Sequence, residues 1–185
     1  PILTLWCREI EEAQNQAQEL TNRLSEFGRE LFGAGWVEVV GAVDRIPNAT
    51  EPQRFTILLQ KILDKVNRMV IYLDNMESLL NGPDNDDTEA FGNWRSQEVE
   101  EIWKVLKEMS GDKLTAVASC RYRNPAFKDD IIHVPEMTDS AIFRMMGWFD
   151  GLRRLSVENR ARLVDRLHGH PRAVEFLEDL ISEAI

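Results

Sequence analysis

The fold is decided by the stretch RMVIYLDNMESLL, residues 68–80, in which an unbroken apolar run, Met69–Leu73, leads directly into Asp74 and Asn75. A run of this length that ends at an acid predicts a strand buried on both faces, as in a parallel sheet. The Asp74 carboxylate is then expected at the carboxyl edge of the sheet, where open α/β sheets bind their ligands. The alternative is that Asp74 only caps the turn or helix that follows the strand.

Composition and charge exclude several classes of protein. The 185 residues are 43% hydrophobic and 29% charged, which is ordinary for a soluble globular chain of one domain or slightly more. No apolar run approaches the ~20 residues of a membrane span, and a net charge of -10 disfavours a general nucleic-acid-binding surface. Cys7 and Cys120 are isolated thiols in a sequence without a signal peptide, which favours the cytoplasm and no metal site.

The first third of the chain shows a helical pattern. Between residues 3 and 31, apolar side chains recur at steps of three and four, which predicts one long amphipathic helix. Its apolar stripe must be covered by the chain's own sheet or by a partner helix, including self-association through residues 3–31. The stripe consists of Leu3, Trp6, Ile10, Ala13, Ala17, Leu20, Leu24, Phe27 and Leu31.

A strand, a helix and the Asp74 strand are predicted to follow. Residues 36–43 have the β-branched composition of a strand. Thr50 and Gln53 fit a capping box, so the periodic segment 51–66 predicts an amphipathic helix. The two strands of such a unit are expected to be parallel, with a right-handed crossover.

A loop and a second buried strand come next. The segment after Glu77 is rich in Gly, Pro, Asn and Asp, which predicts a long exposed loop. Within it Asp84, Asp86 and Thr88 lack the glycine of a calcium loop, so these acids are interpreted as solvated. A helix over 99–109 then leads to a strand at 114–118, which brings Ser119 and Arg121 to the same sheet edge as Asp74.

The last third is predicted to be mainly helical. A short strand is expected at 131–134, followed by a helix that begins near Asp139. Further helices occupy the rest of the chain and are interrupted by the segment His168–Pro171, HGHP. By itself HGHP is ordinary punctuation between helices, and two histidines without a third ligand do not make a metal site.

Three segments in this order resemble the STAND NTPases, signalling relatives of the AAA+ ATPases that include the NB-ARC and NACHT classes. They are the strand ending in LDNMESLL, the strand ending in ASCR, and the helical LHGHPRAVEFLEDL. The resemblance covers residues 36–185 and is nearest to bacterial members with LDN-x-E and GHP motifs. It implies a cytoplasmic ATP/ADP switch whose partners are effector and repeat domains of the same protein, such as TPR or CHAT domains.

The resemblance implies a role for each matched residue. Asp74 resembles the Walker B acid that positions Mg²⁺ through water, and Arg121, beside Ser119, resembles the sensor that reads the γ-phosphate. Asn75 replaces a second acid, so hydrolysis is expected to be slow unless Glu77 acts as the base. The lid contact with adenine would come from Gly169, His170 and Pro171.

One departure from the family is plain, because the sequence has no G-x-x-x-x-G-K-[ST] motif and no Gly-Lys pair. The chain is therefore expected to be either a piece without its phosphate loop or a degenerate member, inactive alone. The predicted fold is a three-layer α/β structure, a parallel sheet with flanking helices in residues 1–135, followed by a helical lid in residues 136–185.

Overall fold

The computed structural model describes residues 1–81, 92–121 and 131–183. Within the chain, two compact units are found, Pro1–Asp130 and Ile131–Ile185. The unit boundary lies close to the one expected after residue 135. The acids Asp84 and Asp86, with Thr88 and the centre of the predicted loop, lie outside the described residues.

The first unit contains a parallel three-stranded sheet in the order β1–β2–β3. These strands are β1 (Ile2–Trp6), β2 (Met69–Asp74) and β3 (Leu114–Ala118). The prediction of an α/β fold with a parallel sheet is confirmed, with β2 as the central strand. The register places Leu73 opposite both Leu5 and Ala118, so the three strands end at a common edge.

The predicted helix over residues 3–31 is wrong in its first part. The chain forms β1, then α1 (Cys7–Glu11), and only then α2 (Gln16–Phe32), which Asn15 caps by accepting a hydrogen bond from the Gln18 N–H at 3.0 Å. Leu3 and Leu5 are buried while their neighbours are exposed, which is the two-residue period of a strand. Pairing with β2 therefore decides the conformation of β1, because this segment is too short for its helical spacing to form a helix by itself.

The predicted strand at 36–43 is also wrong, because these residues form α3 (Gly35–Asp44). Its two buried residues, Trp36 and Val43, are seven positions apart, which places them on one side of a helix. Trp36 packs so closely on α2 that a Cβ added at Gly28 would lie 2.2 Å from the indole ring. Packing thus overrides the β-branched composition of this segment.

The remaining helices of this unit agree with the sequence pattern. The helix α4 (Glu51–Leu63) begins as expected, with the Thr50 N–H donating to Gln53 Oε1 at 3.0 Å, although it ends earlier than residue 66. The helix α5 (Gln97–Met109) begins after Ser96. The 3₁₀ helix Met76–Leu79 follows β2 after the single residue Asn75. Together these helices bury the core residues Leu5, Leu20, Leu24, Phe55, Leu59, Ile62, Ile71, Leu73, Ile102 and Leu106.

One face of the sheet carries this core, whereas the other face is open in the described part of the chain. Ile2, Trp6 and Val117 point to that open face and are 67%, 53% and 44% exposed. The expected three-layer arrangement, with helices on both faces, is therefore not seen among the described residues. The fold that the structure shows is a parallel sheet with helices packed on it.

The second unit is a small helical bundle. It contains α6 (Asp139–Met146), α7 (Asp150–Arg153), α8 (Val157–Leu167) and α9 (Pro171–Glu183). The predicted strand at 131–134 is wrong, since residues 131–138 have no regular structure and Ile132 is 89% exposed. Thr138, rather than Asp139, caps α6. The core of the bundle consists of Ile142, Met145, Met146, Leu152, Val164 and Val174.

Candidate functional site

The candidate site is the edge of the sheet at which β2 and β3 end. Asp74 is the last residue of β2, and Ser119 follows the end of β3 on the neighbouring strand. Arg121 lies two residues further along the chain. The structure therefore brings Asp74, Ser119, Glu77 and Arg121 together at one edge, as the parallel topology predicts.

Two hydroxyl groups hold the carboxylate of Asp74. The Ser119 hydroxyl donates to Asp74 Oδ1 at 2.5 Å, and the Tyr72 hydroxyl donates to the same oxygen at 2.9 Å. These bonds, the one from Ser119 first, lower the pKa of Asp74 from its ordinary value of 3.8, although partial burial opposes them. Asp74 is consequently ionised at neutral pH, with Oδ2 outside this pair of bonds.

Ser119 also ties the two strand ends together. Its hydroxyl oxygen accepts a hydrogen bond from the Asn75 N–H at 3.0 Å, its own N–H donates to the Leu73 carbonyl at 2.9 Å, and its carbonyl accepts from the Met76 N–H at 2.8 Å. Asn75 adopts the left-handed conformation, with φ of 56°, which Asn tolerates better than most residues. The site is thus built on a fixed turn, whether or not it binds a ligand.

Glu77 and Arg121 form an ion pair beside this turn. Glu77 Oε1 lies 3.0 Å from Arg121 Nε, and Glu77 Oε2 accepts a hydrogen bond from the Arg121 backbone N–H at 3.3 Å. Both oxygens of the carboxylate are therefore engaged by one residue. This contact bears on the role of general base that the resemblance left open for Glu77, because a base needs a free lone pair directed at its substrate.

Two further residues, which the sequence pattern did not indicate, belong to this edge. Tyr72 points to the same face of β2 as Asp74, two positions away, a relation that the two-residue period of a strand could have revealed. Cys7, which follows β1, is fully buried. Burial raises the pKa of the Cys7 thiol to about 12, and the negative charges of Asp74 and Glu77 add to that effect.

The residues of this edge fit a water-mediated Mg²⁺ contact but not a complete protein-built metal cage. Among the residues that the structure describes, no group of three or more His, Cys, Asp or Glu side chains could hold a metal ion. Mg²⁺ is commonly bound by one or two carboxylates, several waters and the phosphates of a substrate. Asp74 supplies one ionised carboxylate of that kind.

The predicted lid residues lie in the second unit. Gly169 has φ of 72°, and its carbonyl accepts a hydrogen bond from the Met137 N–H at 3.0 Å. A Cβ at Gly169 would lie 2.5 Å from the Met137 carbonyl oxygen, so this position requires glycine. His170 is exposed, as is Pro171, which begins α9. The close contact with Met137 within the bundle is therefore enough to explain why glycine occupies position 169.

A surface groove of about 410 Å³ in the described part of the chain contains none of the predicted site residues. It is lined by residues 13–16 together with Arg95, Ser96 and Glu98. No helix within the described ranges is long and apolar enough to cross a membrane. Comparison with known proteins gave no matching family model, no matching curated protein and no matching solved structure.

Proposed function

We propose that this chain carries the Walker B, sensor and lid elements of a nucleotide-dependent signalling switch of the STAND type. The observation that supports the proposal best is the placement of an ionised Asp74 at the end of the central parallel strand, with Ser119 and Arg121 at the end of the adjacent strand. An acid that positions Mg²⁺ and an arginine that contacts phosphate need this side-by-side arrangement.

Each residue then has a role with a physical reason. Asp74 positions Mg²⁺ through water, while the hydroxyls of Ser119 and Tyr72 keep its carboxylate ionised and oriented. Arg121 contacts the γ-phosphate, for which a planar guanidinium is suited. Asn75 cannot accept a proton at neutral pH, so we expect slow hydrolysis and a switch controlled mainly by nucleotide exchange.

The parts that hold the β- and γ-phosphates are not encoded in residues 1–185, which contain no Gly-Lys pair. In the family, the order along the chain is the phosphate loop, then one strand, and then the strand that ends at the Walker B acid. That strand here is β1, which begins at Ile2 rather than near residue 36. The proposal therefore requires a phosphate loop from outside residues 1–185, and its partners are effector and repeat domains of the same cytoplasmic protein.

The proposal predicts very weak nucleotide binding by residues 1–185 alone. A charged hydrogen bond contributes ~1 to 3 kcal/mol and packing on the base contributes ~1 kcal/mol, while association costs ~4 kcal/mol or more. The gains barely offset the cost, so the expected dissociation constant is weaker than about 1 mM. Calorimetric titration with Mg·ATP and Mg·ADP measures it. Low-micromolar binding would show that another part of this chain replaces the phosphate loop, and would contradict the site described above.

The role of Asp74 is tested in a longer protein that has a strand and a Gly-rich loop ending in Lys-Ser or Lys-Thr before β1. Sequencing the gene upstream of Pro1 identifies such a loop. There we expect Asp74→Ala to abolish Mg²⁺-dependent turnover and Asn75→Asp to accelerate it. Asp112→Ala, at an exposed acid before β3, is the matched control and should leave turnover unchanged. Unchanged turnover in both site variants would show that Asp74 only caps the turn after β2.

A nucleotide-free interaction module is the second candidate. The predicted basis for it, an apolar stripe in residues 3–31, is largely used within the chain, because Ala17, Leu20, Leu24 and Phe27 are buried in the core. The observation that favours this candidate is instead the apolar sheet face that the described residues leave uncovered, which carries Ile2, Trp6 and Val117. Absence of a phosphate loop from the gene, together with no nucleotide binding by the chain, would favour the module over the switch.

A further inference from the structure

The contact between Glu77 and Arg121 is unequal in its exposure. The Glu77 side chain is only 12% exposed, whereas the Arg121 side chain is 70% exposed. Glu77 belongs to the 3₁₀ helix after β2, which is anchored by the fully buried Met76 and Leu79. Because one partner is fixed and the other extends into solvent, Arg121 is the partner that can leave the pair while Glu77 stays in place.

The contact also occupies only part of the guanidinium. Glu77 approaches Arg121 at Nε and at the backbone N–H, so the two terminal nitrogens lie outside this pair. A phosphate group is bound best by two parallel N–H donors of one guanidinium. A phosphate at Arg121 therefore competes with the Glu77 carboxylate for the same positive charge, even where it uses other nitrogens.

The charge balance of the edge makes this competition strong. Asp74 and Glu77 both add to the raised pKa of the neighbouring Cys7, and Arg121 forms its ion pair with Glu77, so these three charged groups together carry a net negative charge. A polyanion without a metal ion is repelled by this net negative charge. A Mg²⁺ ion that arrived with a phosphate ligand would offset the charge of Asp74, and Glu77 would then be the carboxylate that opposes the contact of this ligand with Arg121.

We propose, on the basis of the function proposed above, that Glu77 is a positioning residue that holds Arg121 when no ligand is bound and competes for its charge with a Mg²⁺-bound polyphosphate. Glu77 then sets the affinity of the site and the conformation of Arg121, and it does not act as the general base. The pair keeps the sensor arginine away from the phosphate position until a ligand with its metal ion displaces the carboxylate.

The unliganded state is tested by NMR on the chain without nucleotide. Slow hydrogen exchange of the Arg121 Nε–H is expected in the wild type, because Glu77 protects it, and several-fold faster exchange is expected in Glu77→Gln. Glu158→Gln is the matched control, since Glu158 forms an exposed ion pair with Arg162 in the other unit, and it should leave the Arg121 signal unchanged. Equal exchange in the wild type and Glu77→Gln would overturn the proposal.

The competition is tested by titrating Mg·tripolyphosphate into the longer protein that has the phosphate loop, as the wild type, Glu77→Gln, Arg121→Gln and the double variant. Removal of one ion-pair partner is expected to tighten binding by about fivefold in Glu77→Gln, equivalent to about 1 kcal/mol. This gain should disappear in the double variant, because it requires a guanidinium to release. Unchanged binding in Glu77→Gln, or a gain that persists without Arg121, would overturn the proposal.

The two proposals fail with different signatures. If the Arg121 Nε–H is unprotected but tripolyphosphate binding still requires Arg121, the proposed role of Glu77 is contradicted. The proposed nucleotide site is then still supported. A protected Nε–H with no tripolyphosphate binding by any variant shows that the pair is purely structural, and counts against the nucleotide site as well. Circular dichroism of each variant checks that the substitutions leave the fold intact.

Discussion

Replacing Ser119 by alanine should weaken the turn on which the candidate site is built. The substitution removes the hydroxyl that donates to Asp74 at 2.5 Å and accepts from the Asn75 N–H at 3.0 Å. It leaves the backbone bonds of residue 119 to Leu73 and Met76 in place. The expected effect is therefore a loss of side-chain hydrogen bonds without unfolding of the strand ends.

The size of the effect follows from the kind of bond that is lost. A hydrogen bond to a charged group contributes about 1.5–3 kcal/mol when buried, and a neutral one contributes about 0.5–1.5 kcal/mol. Because Ser119 and Asp74 are only half-buried, the lower ends apply, and the sum is about 2 kcal/mol. With a urea dependence of about 2 kcal/mol per molar, the unfolding midpoint should fall by about 1 M.

The loss should also depend on pH. The pKa of Asp74 is lowered in the folded chain, mainly by Ser119, so its stabilising contribution is present above the ordinary value of 3.8 and is lost as pH falls through the folded pKa. In Ser119→Ala the Asp74 pKa should rise back toward 3.8. The destabilisation is then largest at neutral pH and shrinks in acid. Carboxyl ¹³C titration and urea unfolding, followed by amide signals of β2 and β3, measure the two effects.

A matched control is available at the end of α5. The Ser110 hydroxyl donates to the Leu106 carbonyl at 2.7 Å, so Ser110→Ala removes one neutral hydrogen bond and no contact with Asp74. It should cost about 1 kcal/mol at every pH. The reasoning is refuted if Ser119→Ala leaves the Asp74 pKa unchanged, or if its destabilisation is no more dependent on pH than that of Ser110→Ala.

Two further predictions concern the helical bundle. Gly169→Ala should lower the stability of this unit by about 2 kcal/mol in thermal unfolding, because of the positive φ and the close Met137 carbonyl. Gly41→Ala, at an uncrowded site within α3, should instead stabilise the chain by ~0.5–1 kcal/mol, and two equal effects would contradict this. Glu178 accepts hydrogen bonds from the α7 backbone, and the bond from the Gly151 N–H is the main reason that the pKa of Glu178 is lowered from 4.5. The stability that the ionised Glu178 contributes above pH 4.5 is therefore lost as pH falls through the pKa of the folded protein. Glu178→Gln should lower the thermal midpoint at neutral pH and remove that acid-side fall, and the same fall in both proteins would show that Glu178 is not its source.

The central strand and its acid were predictable because their signals are local and strong. An apolar run of five residues that ends at Asp74 is too short for a buried helix and has the composition of a buried strand. The same reasoning identified β3, and the capping box at Thr50 identified the start of α4. From these elements the sequence alone places Asp74, Ser119 and Arg121 at one edge of a parallel sheet.

The identity of the first strand depends on tertiary structure. Residues 2–6 satisfy a helical spacing and an alternating one equally well, and pairing with β2 selects the strand. Residues 36–43 have the composition of a strand, but the packing of Trp36 against Gly28 selects a helix. In both segments the free energy of the local conformational preference is smaller than the free energy gained when the rest of the fold buries the apolar side chains.

The chemistry of the candidate site divides in the same way. The sequence determines that an acid, an amide, a second acid and an arginine occupy positions 74, 75, 77 and 121. Only the folded chain brings the Ser119 and Tyr72 hydroxyls onto one oxygen of Asp74 and closes Glu77 on Arg121 across 44 residues of sequence. Side-chain contacts between neighbouring strands depend on register and rotamer, which no local pattern specifies, and they decide which of these groups is free to react.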